Sequence, residues 1–305
     1  MTLYYSHPEC LEHRMQANHP ERPARLQAIA AALHAGGELS QLDLREAPEA
    51  NDAGLLAGHR PAYVAHLANV VPRAGLTQVD PDTAMGPRSL AAARRAAGAG
   101  MAAVEAIMRG EDTRAFCAVR PPGHHAEEGA AMGFCLFNNV ALAAHAALRH
   151  PEIERVAILD FDVHHGNGTV DLFKDRPEVL VCSSFQHPFY PGRLHDLVRP
   201  NIVNTPLAEG SDGSDFRRAI DATWTAALEH HRPQFVFVSA GFDAHRDDPL
   251  GGLALDENDY TWITHRICDW ANNWASGRIV SMLEGGYDLP ALARSTVAHV
   301  DALLE

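Results

Sequence analysis

Residues 158–168, ILDFDVHHGNG, decide how the whole chain reads. They close the apolar run RVAILD (155–160), which lacks strict polar alternation, as strands buried on both faces do. Two carboxylates, two histidines and two glycines then arrive between Asp160 and Gly168. Carboxylates at a buried strand end are costly unless something compensates them. Runs of the same kind stand at AFCAVR (115–120), VLVCS (179–183), FVFVS (235–239) and RIVSML (278–283). Helical patterns lie between and after them, at 87–109, 137–149, 214–231, 256–274 and 289–304. Pro87 suits a first helical position, and Asp256 with Glu257 and Asp259 suits a helix start. This alternation predicts an α/β fold, a parallel sheet with helices on both faces.

The N-terminal ninety residues are less regular, with helices expected at 22–33 and 61–70 and a loop at 75–86. No repeat or compositional break divides the chain, so one domain over residues 1–305 is expected. The strands of a parallel sheet end on one edge, where ligands bind. The segments that follow the five runs are PPGHHAEEGAAMGF (121–134), DFDVHHGNG (160–168), SFQHPFYPG (184–192), AGFDAHRDDPLGG (240–252) and EGGYD (284–288). Five polar clusters distant in sequence are therefore expected to meet in one site.

Bulk composition narrows the function classes. The 305 residues are 46% hydrophobic and carry a net charge of −14, which argues against nucleic acid as the main partner. Five cysteines, with no C-x-x-C pair, fit free thiols in a reducing compartment. The start MTLYYSHPEC does not read as a signal peptide, and no apolar run approaches the roughly 18 residues of a membrane span. A cytoplasmic protein that does not engage membranes is expected, with homo-oligomerisation left open.

The clusters carry definite chemistry. Asp162 and His164 lie two apart on an extended chain, so their side chains share one side, as does that of Asp160. With Asp243 as third ligand they offer an N/O₂ set to a divalent cation, and zinc with three protein ligands and one open position is a catalytic arrangement. An Asp-x-His taken alone reads equally as a surface turn or a buried ion pair. His124 and His125 supply imidazoles for proton transfer, and Asp160 and Asn167 are candidate partners to orient them. Tyr287, after Gly285 and Gly286, can present a hydroxyl to an oxyanion. Gly133-Phe134 and Phe189-Tyr190 offer aromatics for a narrow slot that would take an alkyl chain, with core packing as the competing reading.

Together, RPPGHHA (120–126), DFDVHHGNGT (160–169), AGFDAHRDDPLGG (240–252) and EGGYD (284–288) resemble the zinc-dependent amidohydrolase branch of the histone deacetylase superfamily, and HPERPARL (19–26) fits as well. The likeness runs from about His19 to Asp288. It implies the arginase-deacetylase fold, a parallel eight-stranded sheet. It implies zinc on Asp162, His164 and Asp243, His125 as general base and then acid, His124 held by Asp160, and Tyr287 polarising the substrate carbonyl. It also implies that the Gly133 carbonyl accepts a hydrogen bond from substrate, with Phe134 and Tyr190 flanking the alkyl chain. A structural potassium ion would sit at Asp160, Asp162, His164, Ser183 and Ser184, and an outer one at the carbonyls of Phe173, Arg176 and Val179.

Two positions depart from patterns within the superfamily. Asn167 stands where one branch has aspartate, and a neutral amide holds an imidazolium less strongly. Leu250 stands where polyamine-selective relatives place a carboxylate, which points toward acyl-lysine. Asp80 is the expected rim carboxylate that would hold a substrate backbone. The expected activity is hydrolysis of N-acetyl alkylamines, with acetyl-lysine peptide or protein favoured over acetylpolyamine or another acetylated small amine. An arginase-like binuclear hydrolase and a non-catalytic acyl-lysine binder are the competing classes. Zinc against iron is left open. His165 is assigned a packing or supporting role.

Overall fold

The computed structural model describes residues 2–305. In chain order its elements are β1 (Thr2–Ser6), α1 (Ala24–Gly36), β2 (Leu42–Glu46), α2 (Asp52–Leu55), α3 (Pro61–Val70), β3 (Thr77–Asp80), β4 (Thr83–Met85), α4 (Ser89–Met108), β5 (Arg114–Cys117) and α5 (Asn139–Ala147). There follow β6 (Val156–Asp160), α6 (Asn167–Phe173), β7 (Val179–Gln186), β8 (Ile202–Leu207), α7 (Gly213–His231), β9 (Phe235–Ala240), α8 (Glu257–Trp274), β10 (Ile279–Leu283) and α9 (Leu289–Leu304).

Eight strands form one sheet in the order β2-β1-β5-β10-β9-β6-β7-β8, every pairing parallel. Strands β6, β7, β9 and β10 are buried at every residue, which is why their sequences read as unbroken apolar runs. Helices α4 and α5 pack together in one layer, and α1, α9, α8 and α7 pack in succession in the other. The main core fills both sides of the sheet, and a smaller cluster around Leu55, Tyr63, Leu67, Met85 and Phe137 lies under α3 and the β3–β4 hairpin.

Helix starts follow local chemistry. Asp212 and Asp215 form a capping box on α7, and Asp256 and Asp259 form one on α8. Asp288 caps α9 by accepting from the Ala291 amide, so the residue after Tyr287 both ends a site loop and begins a helix.

The structure adds elements that the apolar runs did not mark. Both edge strands are among them, because an edge needs less apolar sequence: β2 buries only Leu42 and exposes Leu44 and Glu46, and β8 contains Pro206. β1 and the short α6 are also new. Residues 75–86, expected as a loop, contain the antiparallel β3–β4 hairpin. The first central strand ends at Cys117 rather than Arg120, and α4 begins at Ser89, two residues after Pro87.

Candidate active site

The turns after β5, β6, β7, β9 and β10 meet at the carboxyl edge of the sheet, around a cavity of about 480 Å³. Asp162, His164 and Asp243 each aim one ligand atom at a common point, all within 4.8 Å of one another. His164 Nδ1 lies 3.0 Å from Asp162 Oδ1 and 3.2 Å from Asp243 Oδ2. Asp243 Oδ2 is buried and accepts no hydrogen bond. The backbone yields space here: a β-carbon on Gly241 would fall 2.1 Å from Asp162 Oδ2. Two carboxylates and an imidazole, with one buried oxygen unsatisfied, fit a divalent cation.

The electrostatics describe the same deficit of positive charge. Burial disfavours ionised Asp162, but His124, His164 and His125 outweigh it and hold the carboxyl below its ordinary range. Burial opposes charge on His164 too, yet Asp162 and Asp243 push it up to about 10, so the two carboxylates favour a positive charge between them. Asp243 is raised by burial and by repulsion from Asp162.

Both histidines of the pair are buried and held by their Nδ1 atoms. His124 donates to Asp160 Oδ2 at 2.9 Å, and His125 to Asn167 Oδ1 at 2.7 Å. The rings lie 4.0 Å apart between centroids. Burial would neutralise His124, but Asp162 and Asp160 raise it well above the usual histidine value. Burial and then the neighbouring His124 and His164 lower His125 well below it. One imidazole is thus kept charged and the other neutral, ready to accept a proton. His165 faces away, donating to Asn204 Oδ1 at 3.0 Å and packing edge-on against Phe185.

Tyr287 lines the cavity and meets Phe134 edge-on at 5.9 Å. Its loop is pinned from two sides that the sequence did not announce. Asp248 Oδ2 accepts from the amides of Tyr287 (2.6 Å) and Asp288 (3.1 Å), while Oδ1 accepts from Leu250. Arg25 donates to the carbonyls of Gly286 (2.6 Å) and Glu284 (2.5 Å) and lies over the Tyr287 ring. Arg25 and Arg120 in turn share the buried Glu21. Glu284, pushed up to about 7 chiefly by burial, accepts from the amides of Gly123 and His124 and so holds the histidine loop.

Gly133, Phe134, Phe189, Tyr190 and Leu250 line the cavity together with His125, His164 and Tyr287. Phe189 stacks on His164, whereas Tyr190 stands edge-on to both His125 and His164. Asp80 does not line the cavity. Asp82 does, accepting from the Gly133 amide at 3.1 Å. Asp80 ends β3 beside Asp82, and burial and Asp82 push its carboxyl up to about 6. Gln186 and Glu209 are further lining residues.

The inner set expected for potassium lies along the paired ends of β6 and β7. Asp160 is in register with Ser183, and Ser184 Oγ donates to the Asp160 carbonyl at 3.4 Å. The outer set also converges, but on a protein group. Asn201 Nδ2 donates to the carbonyls of Phe173 (2.8 Å), Arg176 (3.0 Å) and Val179 (3.0 Å). The expected outer potassium set thus has its carbonyls gathered around one side chain, that of Asn201.

The likeness to known proteins spans the chain. The histone deacetylase domain matches residues 19–303. An uncharacterized protein of Synechocystis sp. is 40% identical, the match covering 100% of this chain and 99% of the relative. A histone deacetylase-like amidohydrolase of Pseudomonas aeruginosa is 38% identical over 89% of this chain and 73% of its own length. The crystal structure of the HDA15 HD domain superposes with a TM-score of 0.92 at 34% identity, covering 99% of this chain and 88% of that one.

Proposed function

The chain belongs to the histone deacetylase family, and from that premise we propose that it is a zinc-dependent deacetylase that hydrolyses N-acetyl amides of alkylamines, acetyl-lysine in peptides or proteins first among them. The observation that carries this reading is the convergence of the Asp162–His164–Asp243 triad, a neutral His125 and Tyr287 at the inner end of a cavity walled by Phe134, Tyr190 and Leu250.

A divalent cation on the triad supplies Lewis acidity to the acyl carbonyl and to water. The chain's own groups do the rest. His125 accepts the proton of the attacking water at Nε2 and delivers it to the departing amine as the C–N bond breaks, leaving acetate and a free amine. Tyr287 donates its hydroxyl proton in a hydrogen bond to the carbonyl oxygen as that oxygen gains charge. The charged His124, held by Asp160, sits beside His125 and keeps it neutral until the proton arrives. The aromatic walls orient the alkyl chain and exclude water.

The family resemblance and the paired ends of β6 and β7 support a structural potassium ion at the inner set. Five buried, unpaired thiols support a reducing, cytoplasmic setting. A second substrate reading rests on the rim, where Asp82 and Glu209 line the cavity and no lysine or arginine does among the described residues, an arrangement that favours a cationic chain such as an acetylpolyamine. A panel of acetyl-lysine peptide, acetylputrescine and acetylspermidine on zinc-loaded protein separates the two. Higher kcat/KM on the peptide supports the first reading, and the reverse order transfers the protein to the second. Two transition-metal ions per chain would indicate a binuclear hydrolase. Bound zinc without hydrolysis of any acyl amide would indicate a binder.

A further inference from the structure

Asn167 is a neutral group in contact with the proposed base, and what lies behind it has a consequence for that base. The Asn167 amide nitrogen donates to Glu127 Oε1 at 2.8 Å, and the same oxygen lies 3.2 Å from Arg193 Nε. Glu127 is nearly buried, follows the histidine pair by two residues, and is itself held by its amide donating to the Ala130 carbonyl. Arg193 comes from the loop after β7, which also carries Phe189 and Tyr190.

A carboxylate can only accept hydrogen bonds, so the NH₂ end of Asn167 must face Glu127. That leaves Oδ1 for the His125 ring, while Nδ2 also reaches the His125 carbonyl at 3.5 Å and Met132 Sδ at 3.4 Å, and an oxygen facing the ring demands that His125 carry its proton on Nδ1. The other ring nitrogen, Nε2, is then left with its lone pair. We propose that Glu127 is a positioning residue. By fixing which way the Asn167 amide points, it selects the one His125 tautomer able to accept a proton at Nε2. Arg193 secures the Glu127 carboxylate and thereby links the aromatic wall of the cavity to the base. The kinetic part of this inference rests on the deacetylase reading, whereas the tautomer part does not.

The test uses zinc-loaded, full-length protein labelled with ¹⁵N-histidine in mildly alkaline buffer. Long-range ¹H–¹⁵N spectra report the His125 tautomer, and acetyl-lysine peptide hydrolysis reports kcat and KM. Wild type shows a single Nδ1–H tautomer. Glu127→Ala frees the amide to turn, so the spectrum shows mixed tautomers and kcat falls about tenfold with KM changing less than about twofold. Asn167→Asp sets two carboxylates against each other, and the double variant Glu127→Gln/Asn167→Asp restores a donor between them. The double variant should therefore exceed the single Asn167→Asp variant in kcat by at least about fivefold, which a merely structural glutamate would not bring about. The proposal is overturned if Glu127→Ala keeps the single Nδ1–H tautomer, or if the double variant is no better than Asn167→Asp. Wild type that hydrolyses nothing while Glu127→Ala still mixes the tautomers would overturn the deacetylase reading and leave the positioning role standing.

Discussion

Gly285 and Asp243 approach so closely that a β-carbon on Gly285 would lie 1.9 Å from Asp243 Oδ2. The same glycine donates its amide to Asp162 Oδ2 at 2.9 Å, so one backbone position sets the spacing of both metal-directed carboxylates. Gly285→Ala must push Asp243 or the loop aside, and zinc affinity is expected to fall by about tenfold or more. Competition against a fluorescent chelator measures it, and wild-type affinity in the variant would refute this account of the site.

Tyr287→Phe removes one hydroxyl from the cavity wall and leaves the triad untouched. Turnover of an acetyl-lysine substrate is expected to drop by roughly 10²–10³, as for other oxyanion donors. Zinc content should be unchanged. A rate within threefold of wild type would remove Tyr287 from the mechanism.

Acid is expected to weaken the fold through three buried histidines that the native state holds neutral. His13, His59 and His299 are buried, and burial is the main cause that lowers the first two to about 4 and the third to about 3. His59 is held neutral at both ends, donating to the Glu127 carbonyl and accepting from the Asn138 amide. The unfolded chain protonates these rings at about 6.5, so it binds more protons than the native state below that pH. Their contribution to stability is complete above about 6.5 and is lost as pH falls toward 4, at up to about 1.4 kcal/mol per pH unit for each ring. Urea unfolding of zinc-loaded protein across this interval measures the slope, and flat stability from pH 7 to 4 would contradict it.

Asn201 gathers the three carbonyls of the expected outer potassium set around its side-chain amide. Asn201→Ala removes a side-chain donor from three carbonyls, two of which keep a backbone donor (the Arg176 amide on the Phe173 carbonyl and the Val179 amide on the Arg176 carbonyl), and should cost about 1–2 kcal/mol. The loss should be smaller in potassium chloride than in choline chloride, because a small cation can take up the freed carbonyl oxygens. Equal losses in the two salts would show that these carbonyls do not gather a cation even when vacated.

What the sequence discloses and what it withholds have separate physical causes. β6, β9 and β10 announce themselves because central strands are apolar on both faces, and their ends are where Asp162, Asp243 and Tyr287 stand. The edge strands β2 and β8 escape notice because half their residues face away from the core or break the ladder. Asp162 and His164 are legible as a pair because strand geometry alone puts them on one side. Asp248 is not, because its partners are backbone amides about forty residues on, at Tyr287 and Asp288. Asp80 rather than Asp82 was the expected rim carboxylate because the two differ only by a hairpin turn that the loop-like composition of 75–86 conceals.

The grip of Arg25 on Gly286 spans 261 residues, and it fixes a moment in the life of the chain. During synthesis the amino-terminal helix emerges first, while the loop that it must clasp belongs to β10 and α9 at the other end. β6 and its histidines are made well before Tyr287 and Gly285, the backbone position that spaces the carboxylates. The clasp therefore closes only after β10 and the loop that follows it have been made, so a chain that stops short of residue 286 lacks both Tyr287 and the partner that Arg25 holds.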